Sequence, residues 1–469
     1  MTERRSPRLR VQWSLPANNG LEKFKLDLNP GMKFDLDTFR LDLPAGLDPV
    51  LPVADTDAVS RAVIAYKLPR VPGATDAWSE ASALLDMAGE IEHALMVQYL
   101  YSGFAAEQLV AGEKPNKLLR EIAVEEMGHL LTVTNLRLML GMEPYLRRQD
   151  ESPQQGFDPY PFVLEPLSIP SLAKYVAAES PAEQATMGEA DRAAFARVLQ
   201  HLGQTGGPLI HRVGLVYMRL FYLLQEGEEA DPLWPEAATA ADWGEKWHLA
   251  AKDIVGNAAR QSDHMEWGQG DEFIGVKMTT LAQARDAIAR IAGQGEGGQE
   301  PQGGDGDGPS HFLRFLRLFD RVGTKRLSRP VPTLGIDDIT AEPAVTLNRL
   351  FDIRYEMFLI VLQRFFLATG APRSVMLEWC KREMRGVMGN LHRLILKCPR
   401  HAGGDPKVEA AAPYFRMPAS PVPTEDASLV QRYAAAKKVS QALTAAAIEL
   451  GVDPGDAAFD SITSQDTTF

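Results

Sequence analysis

Two stretches of this sequence put ionisable groups where a helical pattern asks for apolar ones. In the first, Glu92 stands between Ala88 and Leu95, and Tyr99 follows seven residues later. Seven residues make almost two turns, so the carboxylate and the phenol share one helix face. In the second, Glu126 and His129 form a Glu-x-x-His pair flanked by Ile122 and Val133. A carboxylate buried alone is costly through desolvation, so it must be protonated, paired or bound to a cation. A Glu-x-x-His pair aimed into a bundle, with a glutamate from a neighbouring helix, is the ligand pattern of carboxylate-bridged di-iron and di-manganese proteins. Carboxylate oxygen and imidazole nitrogen suit those metals better than softer ones. Glu-x-x-His alone occurs by chance on many solvated faces; the second stripe, with Glu92 and Tyr99, gives it weight. Glu90, Glu121 and Glu125 fall off both stripes and are expected at the surface. His93 is expected at the surface or behind the ligands.

The elements that must position these groups are helical from Thr75 onward. Ser79 to Ala106 carries Leu85, Ala88, Glu92, Leu95 and Tyr99 on one face. Asn116 to Leu140 carries Leu119, Ile122, Glu126, His129, Val133 and Leu136, and Gly141 closes it as a helix-terminating glycine. Residues 144–180 are proline-rich and are expected as a long irregular connection that covers a site. A third helix is expected from Pro208 to Gln225, and another from Thr280 to Ala292 before a glycine-rich loop from Gly293 to Pro309. Ser310 to Val322 is helical with Ser310 as its cap. Helices near Pro343 to Ala368, Ser374 to Leu396 and Pro421 to Leu450 follow, and residues 227–275 give no assignable pattern. Residues 1–75, punctuated by prolines, form an extended N-terminal arm. The expected fold is therefore mainly α, divided as 1–75 (arm), 76–325 (metal-binding bundle with long insertions), 326–418 (an additional helical layer) and 419–469 (a C-terminal helix and tail).

Bulk properties narrow the function. A chain of 469 residues exceeds what one hydrophobic core usually supports. Its 62 acidic residues outnumber its 49 basic ones, so no basic surplus exists to neutralise nucleic-acid phosphates. The most apolar stretches, Val213 to Leu224 and Met357 to Ala368, are too short to span a bilayer, and each holds an arginine, Arg219 or Arg364. The polar, basic N-terminus lacks an apolar signal core, and the two cysteines, Cys380 and Cys398, have no CxxC partner. A cytoplasmic protein without disulfide framework or thiolate metal site is expected. Asp263, His264 and Glu266 are close enough to suggest a second metal, but a solvated turn explains them better. Asp305-Gly-Asp307 lacks the ligand pattern of a calcium loop.

The segments Glu90-Ile-Glu-His-Ala-Leu-Met-Val-Gln-Tyr-Leu-Tyr101 and Ile122-Ala-Val-Glu-Glu-Met-Gly-His129 resemble the ferritin-like domain of the imine dimer synthase family. That family includes violacein and indolocarbazole pathway synthases, which couple imines derived from aryl-pyruvates. The likeness continues in Gln294-Gly-Glu-Gly297, Ser310-His-Phe-Leu-Arg-Phe315 and, weakly, Ala412-Pro-Tyr-Phe-Arg-Met417, covering roughly residues 78–418. It implies a ferritin-like four-helix bundle with additional C-terminal helices. It also implies a metal pair held by Glu92, Glu126 and His129, with Glu296 and His311 as further ligands. Read without it, Glu296 is a solvated acid beside a loop and His311 an ordinary buried histidine. In the family the third helix carries a glutamate in an Ile-Gly-Glu-x-Tyr-like pattern. Here the matching stretch is Val213-Gly-Leu-Val-Tyr217, with Leu215 at the acid's place. Either the site has one carboxylate fewer, or His211, one turn earlier, replaces it.

Three functions compete. The first is a non-haem oxidoreductase holding iron (two ions, with manganese as the alternative), for which dioxygen and a small amino-acid-derived or aromatic metabolite are the partners. Tyr99 would be its hydrogen-bond donor or redox partner, and residues 144–180 with the added helices would enclose the substrate. The second is a ferritin-like metal store or sensor without turnover. The third is a structural bundle whose site has decayed. Neither nucleic acid nor membrane is an expected partner, and self-association is left open.

Overall fold

The computed structural model of the protein describes residues 71, 74–106, 114–148, 162–181, 187–205, 213–225, 248–296, 308–322, 327–328, 330–333 and 339–467. Nearly all of the expected N-terminal arm, residues 1–70 and 72–73, therefore lies outside the described residues, as do residues 227–247.

The first helix, α1 (Ala77–Ala105), starts at a reciprocal cap. The Asp76 carboxylate accepts from the Ser79 amide at 2.8 Å, and the Asp76 amide donates to the Ser79 hydroxyl at 3.1 Å. Such caps contribute about 1 kcal/mol by satisfying amides that the helix leaves open. Along α1 almost every residue is buried, on all sides, which marks a central helix with two packed faces. Its partner α2 (Pro115–Met139) begins with proline at the position where no amide bond is lost. It ends at Gly141, whose φ of +76° lets the Met142 amide return to the Arg137 carbonyl at 2.8 Å.

The other two walls of the bundle are each made of two pieces. Helix α3 (Ile169–Ala178) starts at Ser168, which caps it with Pro170 in the first turn. After α4 (Glu189–Thr205), the chain resumes the wall as α5 (Gly214–Leu223). The Val213 amide donates to the Ala178 carbonyl at 3.4 Å, joining α5 to the end of α3. The fourth wall is α6 (Leu281–Glu296), followed by α7 (His311–Val322). Helix α4 packs outside, against α3 and α7, with Phe195 edge-on to Phe312. A bidentate buried pair, Arg219 on α5 with Glu80 on α1 (2.9 and 3.0 Å), ties the third wall to the first. Two differences from the expected pattern matter here. Residues 144–180 include a helix, and the fourth wall continues through Gly293 to Glu296 rather than dissolving into loop.

A second apolar cluster covers the outer face of the α1–α2 pair. It joins Met96, Val97, Tyr101, Leu131 and Leu138 to α8 (Ala344–Leu367), α9 (Ala371–Arg382), α10 (Gly389–Ile395), α11 (Asp426–Glu449) and α12 (Ala457–Asp466). Between α9 and α10 the backbone widens into a π turn, Glu383–Met388. Glu383 pairs with Arg354 of α8 at 2.6 Å, both fully buried, and Asp466 of α12 reaches the same guanidinium at 2.6 Å. The described residues contain no β-strand, and none of their helices is long and apolar enough to cross a membrane. Cys380 and Cys398 are buried and free.

Candidate metal centre

The inward stripes of α1 and α2 bring Glu92, Glu126 and His129 together, each at most 2 % exposed. His129 Nδ1 is 2.8 Å from Glu126 Oε2 and 3.3 Å from Glu92 Oε2. The other oxygen of Glu126, Oε1, faces Nδ1 of the fully buried His311 at 3.0 Å. Glu179, the residue that ends α3, completes a second group with Glu126 and His311. In each of two groups, Glu92–Glu126–His129 and Glu126–Glu179–His311, three ligand atoms lie within 4.8 Å of one another. The two groups share one carboxylate.

The surroundings of each side chain explain its aim. His129 Nε2 faces the Gln294 carbonyl oxygen at 2.8 Å, and the Gln294 amide nitrogen is engaged by the Glu272 carbonyl at 2.7 Å. His311 Nε2 faces Glu125 Oε2 at 2.8 Å. Both imidazoles therefore donate outward from Nε2 and turn Nδ1 toward the carboxylates. Outer acceptors fix the tautomers of metal-binding histidines in this way. The two outer glutamates are each held by a tyrosine from a facing wall. Tyr217 on α5 donates to Glu92 Oε1, and Tyr99 on α1 donates to Glu179 Oε1 at 2.7 Å. Tyr99 is itself fixed edge-on against Tyr175 and tilted on Phe315.

Electrostatics at this point call for positive charge. Burial pushes Glu92 up to about 7, with Glu126 adding repulsion against the pull of His129. Burial and then Glu126 push Glu179 up to about 8. Burial would also raise Glu126, but His311 and His129 outweigh it and hold that carboxyl well below its usual range. Burial opposes charge on the imidazoles, yet Glu126 and Glu92 hold His129 well above its usual value, and Glu126 with Glu125 raises His311 to about 9. Glu126 Oε1 and His311 Nδ1, though close, meet at angles that make no good hydrogen bond, and both are buried. Buried polar atoms left without a hydrogen bond cost free energy, which a cation held between them would offset. The donor set, oxygen and imidazole without sulfur, fits iron or manganese.

Not every residue singled out from the sequence takes a ligand's place. Glu92, Glu126, His129 and His311 come together. Tyr99 touches Glu179 and so positions a carboxylate. Glu296 closes α6, and its side chain lies outside the described residues, as does the whole of His211. Two acids escape the sequence pattern. Glu125, expected at the surface, is buried and held by His311 and by Arg314 at 2.7 and 2.6 Å, which keep its carboxyl below the usual range against the opposing effect of burial. Glu179 lies in a stretch expected to be irregular, although Ser168 and Pro170 write a helix start and Leu172, Tyr175 and Glu179 share its inward stripe. His93 is buried and bonded to Tyr355 on the far side of α1. Asp263 and Glu266 each pair with Lys277 at 3.0 Å, as a turn held by charge.

Comparison with known proteins adds one match. A family model described as ferritin-like matches residues 85–320, the span that holds every group of the cluster. No curated protein and no solved structure matches the chain.

Proposed function

Because this chain belongs to the ferritin-like family, we propose that its buried cluster holds two iron ions and serves a non-haem oxidoreductase that acts with dioxygen. The substrate in this reading is a small amino-acid-derived or aromatic metabolite, in keeping with the resemblance to imine dimer synthases. The observation that carries the proposal is the shared carboxylate. Glu126 has an imidazole at each oxygen, His129 at 2.8 Å and His311 at 3.0 Å, and an outer glutamate stands beside each imidazole. These three carboxylates and two imidazoles are five of the six side chains with which di-iron and di-manganese bundles usually hold their metal pair.

Glu126 would bridge, with Glu92 and His129 completing one end and Glu179 and His311 the other. A ferrous pair, when bound, supplies the electrons that dioxygen chemistry needs. The protein's own part is to hold and orient. Tyr217 and Tyr99 keep Glu92 and Glu179 aimed inward, and Gln294 and Glu125 keep both histidines presenting Nδ1. Burial at every ligand excludes bulk water, which strengthens each of these interactions.

Oxygen uptake tests the activity. Protein loaded anaerobically with ferrous iron is mixed with air-saturated buffer and candidate amino acids, keto acids and aryl-pyruvate imines, with Glu126→Gln as control. Continuing uptake that depends on one of these compounds and vanishes in Glu126→Gln supports the enzyme. A single burst matching the iron added, indifferent to every compound, would instead make the chain a metal-binding protein without turnover.

A further inference from the structure

A cavity of about 610 Å³ lies on the other side of the α1–α2 pair, between the bundle and the C-terminal helices. No member of the cluster lines it, so the two sites are back to back across the same two helices. Pockets of this size hold small organic ligands. Its body is apolar and aromatic, with Phe104, Trp267 and Phe358 among its walls.

Its charge is what selects a ligand class. The chain carries 62 acidic residues against 49 basic, yet among the described residues no Asp or Glu lines this cavity, whereas Arg120, Lys381, Arg385 and Arg393 all do. Arg120, Arg385 and Arg393 are exposed, so they mark where the cavity meets solvent. Lys381 is engaged by Glu378, but those three arginines have no carboxylate partner among the described residues. The π turn contributes Met384, Arg385 and Met388 to the same wall. Single π turns inside helices recur at functional sites, and here the widened turn places a guanidinium and two adaptable methionines on the cavity.

From this arrangement we propose that the cavity binds an amphipathic carboxylic acid, its apolar body among the aromatic side chains and its carboxylate at the arginine rim. This site is separate from the metal cluster and does not depend on metal being bound. Guanidinium groups suit the role because they grip a carboxylate with two parallel hydrogen bonds.

Calorimetric titration of the full-length protein tests it, with two acids of different body, palmitate and 2-naphthoate, and their neutral alcohols, hexadecanol and 2-naphthalenemethanol. At least one acid is expected to bind saturably, about tenfold or more tighter than its alcohol. Whichever acid binds tells whether the body is a chain or a ring system. Arg120→Glu/Arg385→Glu, changed only at exposed positions, should weaken that acid about tenfold or more while leaving metal content unchanged. Met127→Trp, which fills space at a half-buried wall position, should abolish binding of acid and alcohol alike. Equal binding of acid and alcohol, no binding of either acid, or indifference to the charge reversal would overturn the proposal.

Discussion

Glu126 Oε1 and His311 Nδ1 stand 3.0 Å apart in the middle of the bundle, on helices near opposite ends of the family-matched span. The other oxygen of the same carboxylate is 2.8 Å from His129 Nδ1. A single glutamate with an imidazole at each oxygen has the disposition of a bridge, and the arrangement around it repeats. Each imidazole has an outer glutamate beside it, and each outer glutamate has a tyrosine holding it from a facing wall.

Glu179 should carry half of the site. Replacing it by glutamine keeps its shape and its bond from Tyr99 but removes the charge from one group only. We expect metal content to fall to about half the wild-type value, measured by elemental analysis after loading and gel filtration. Full retention of metal would remove Glu179 from the ligand set.

Metal affinity should rise with pH. Glu92 at about 7, Glu179 at about 8 and His311 at about 9 all hold protons longer than usual. A cation must displace those protons. Above the highest of these values those three ligands are bare, and binding strengthens toward that side, the more so because His129 is also held above its usual value. As pH falls through the three values, protons compete in turn and affinity drops. Competition with a chelator for manganese, repeated from about pH 6 to pH 9.5, should show that trend, with proton release on loading at neutral pH. Affinity independent of pH across this window would contradict it.

Gly128, beside His129, is needed for a close approach. A Cβ there would lie 2.8 Å from the Ile274 backbone nitrogen and 3.2 Å from the Phe273 carbonyl carbon. Backbone atoms cannot step aside as a flexible side chain can. Asn135 also pins this segment to α2, through the Ser262 and Val276 carbonyls at 2.6 and 2.8 Å. Gly128→Ala should therefore destabilise the fold by about 1–3 kcal/mol, seen as a lower melting temperature. An unchanged melting temperature would mean that the segment moves freely.

What the sequence made legible follows from continuity. In α1 and α2 the inward stripes run unbroken, so spacing alone placed Glu92, Glu126 and His129 on faces that meet. Glu179 was hidden because its wall is broken. The pattern that the sequence resembles puts an acid at the place of Leu215, on the resumed helix α5, whereas Glu179 sits at the end of the preceding piece, α3. Glu125 defeated the pattern for another reason: its face is buried only after α7 arrives with His311 and Arg314. The second packed face of α1 and α2 was equally out of reach, since helices buried on both sides show little periodicity. The cavity there depends on elements more than two hundred residues further along the chain.

The central claim is one cluster with two metal positions sharing Glu126, and anaerobic titration of metal-free protein with ferrous iron tests it most directly. Two positions with a common bridge predict saturation at about two irons per chain for the wild type and loss of both in Glu126→Gln, with helix content by circular dichroism unchanged. Saturation at a single iron in the wild type, or a Glu126→Gln variant that still takes up the full complement, would contradict it.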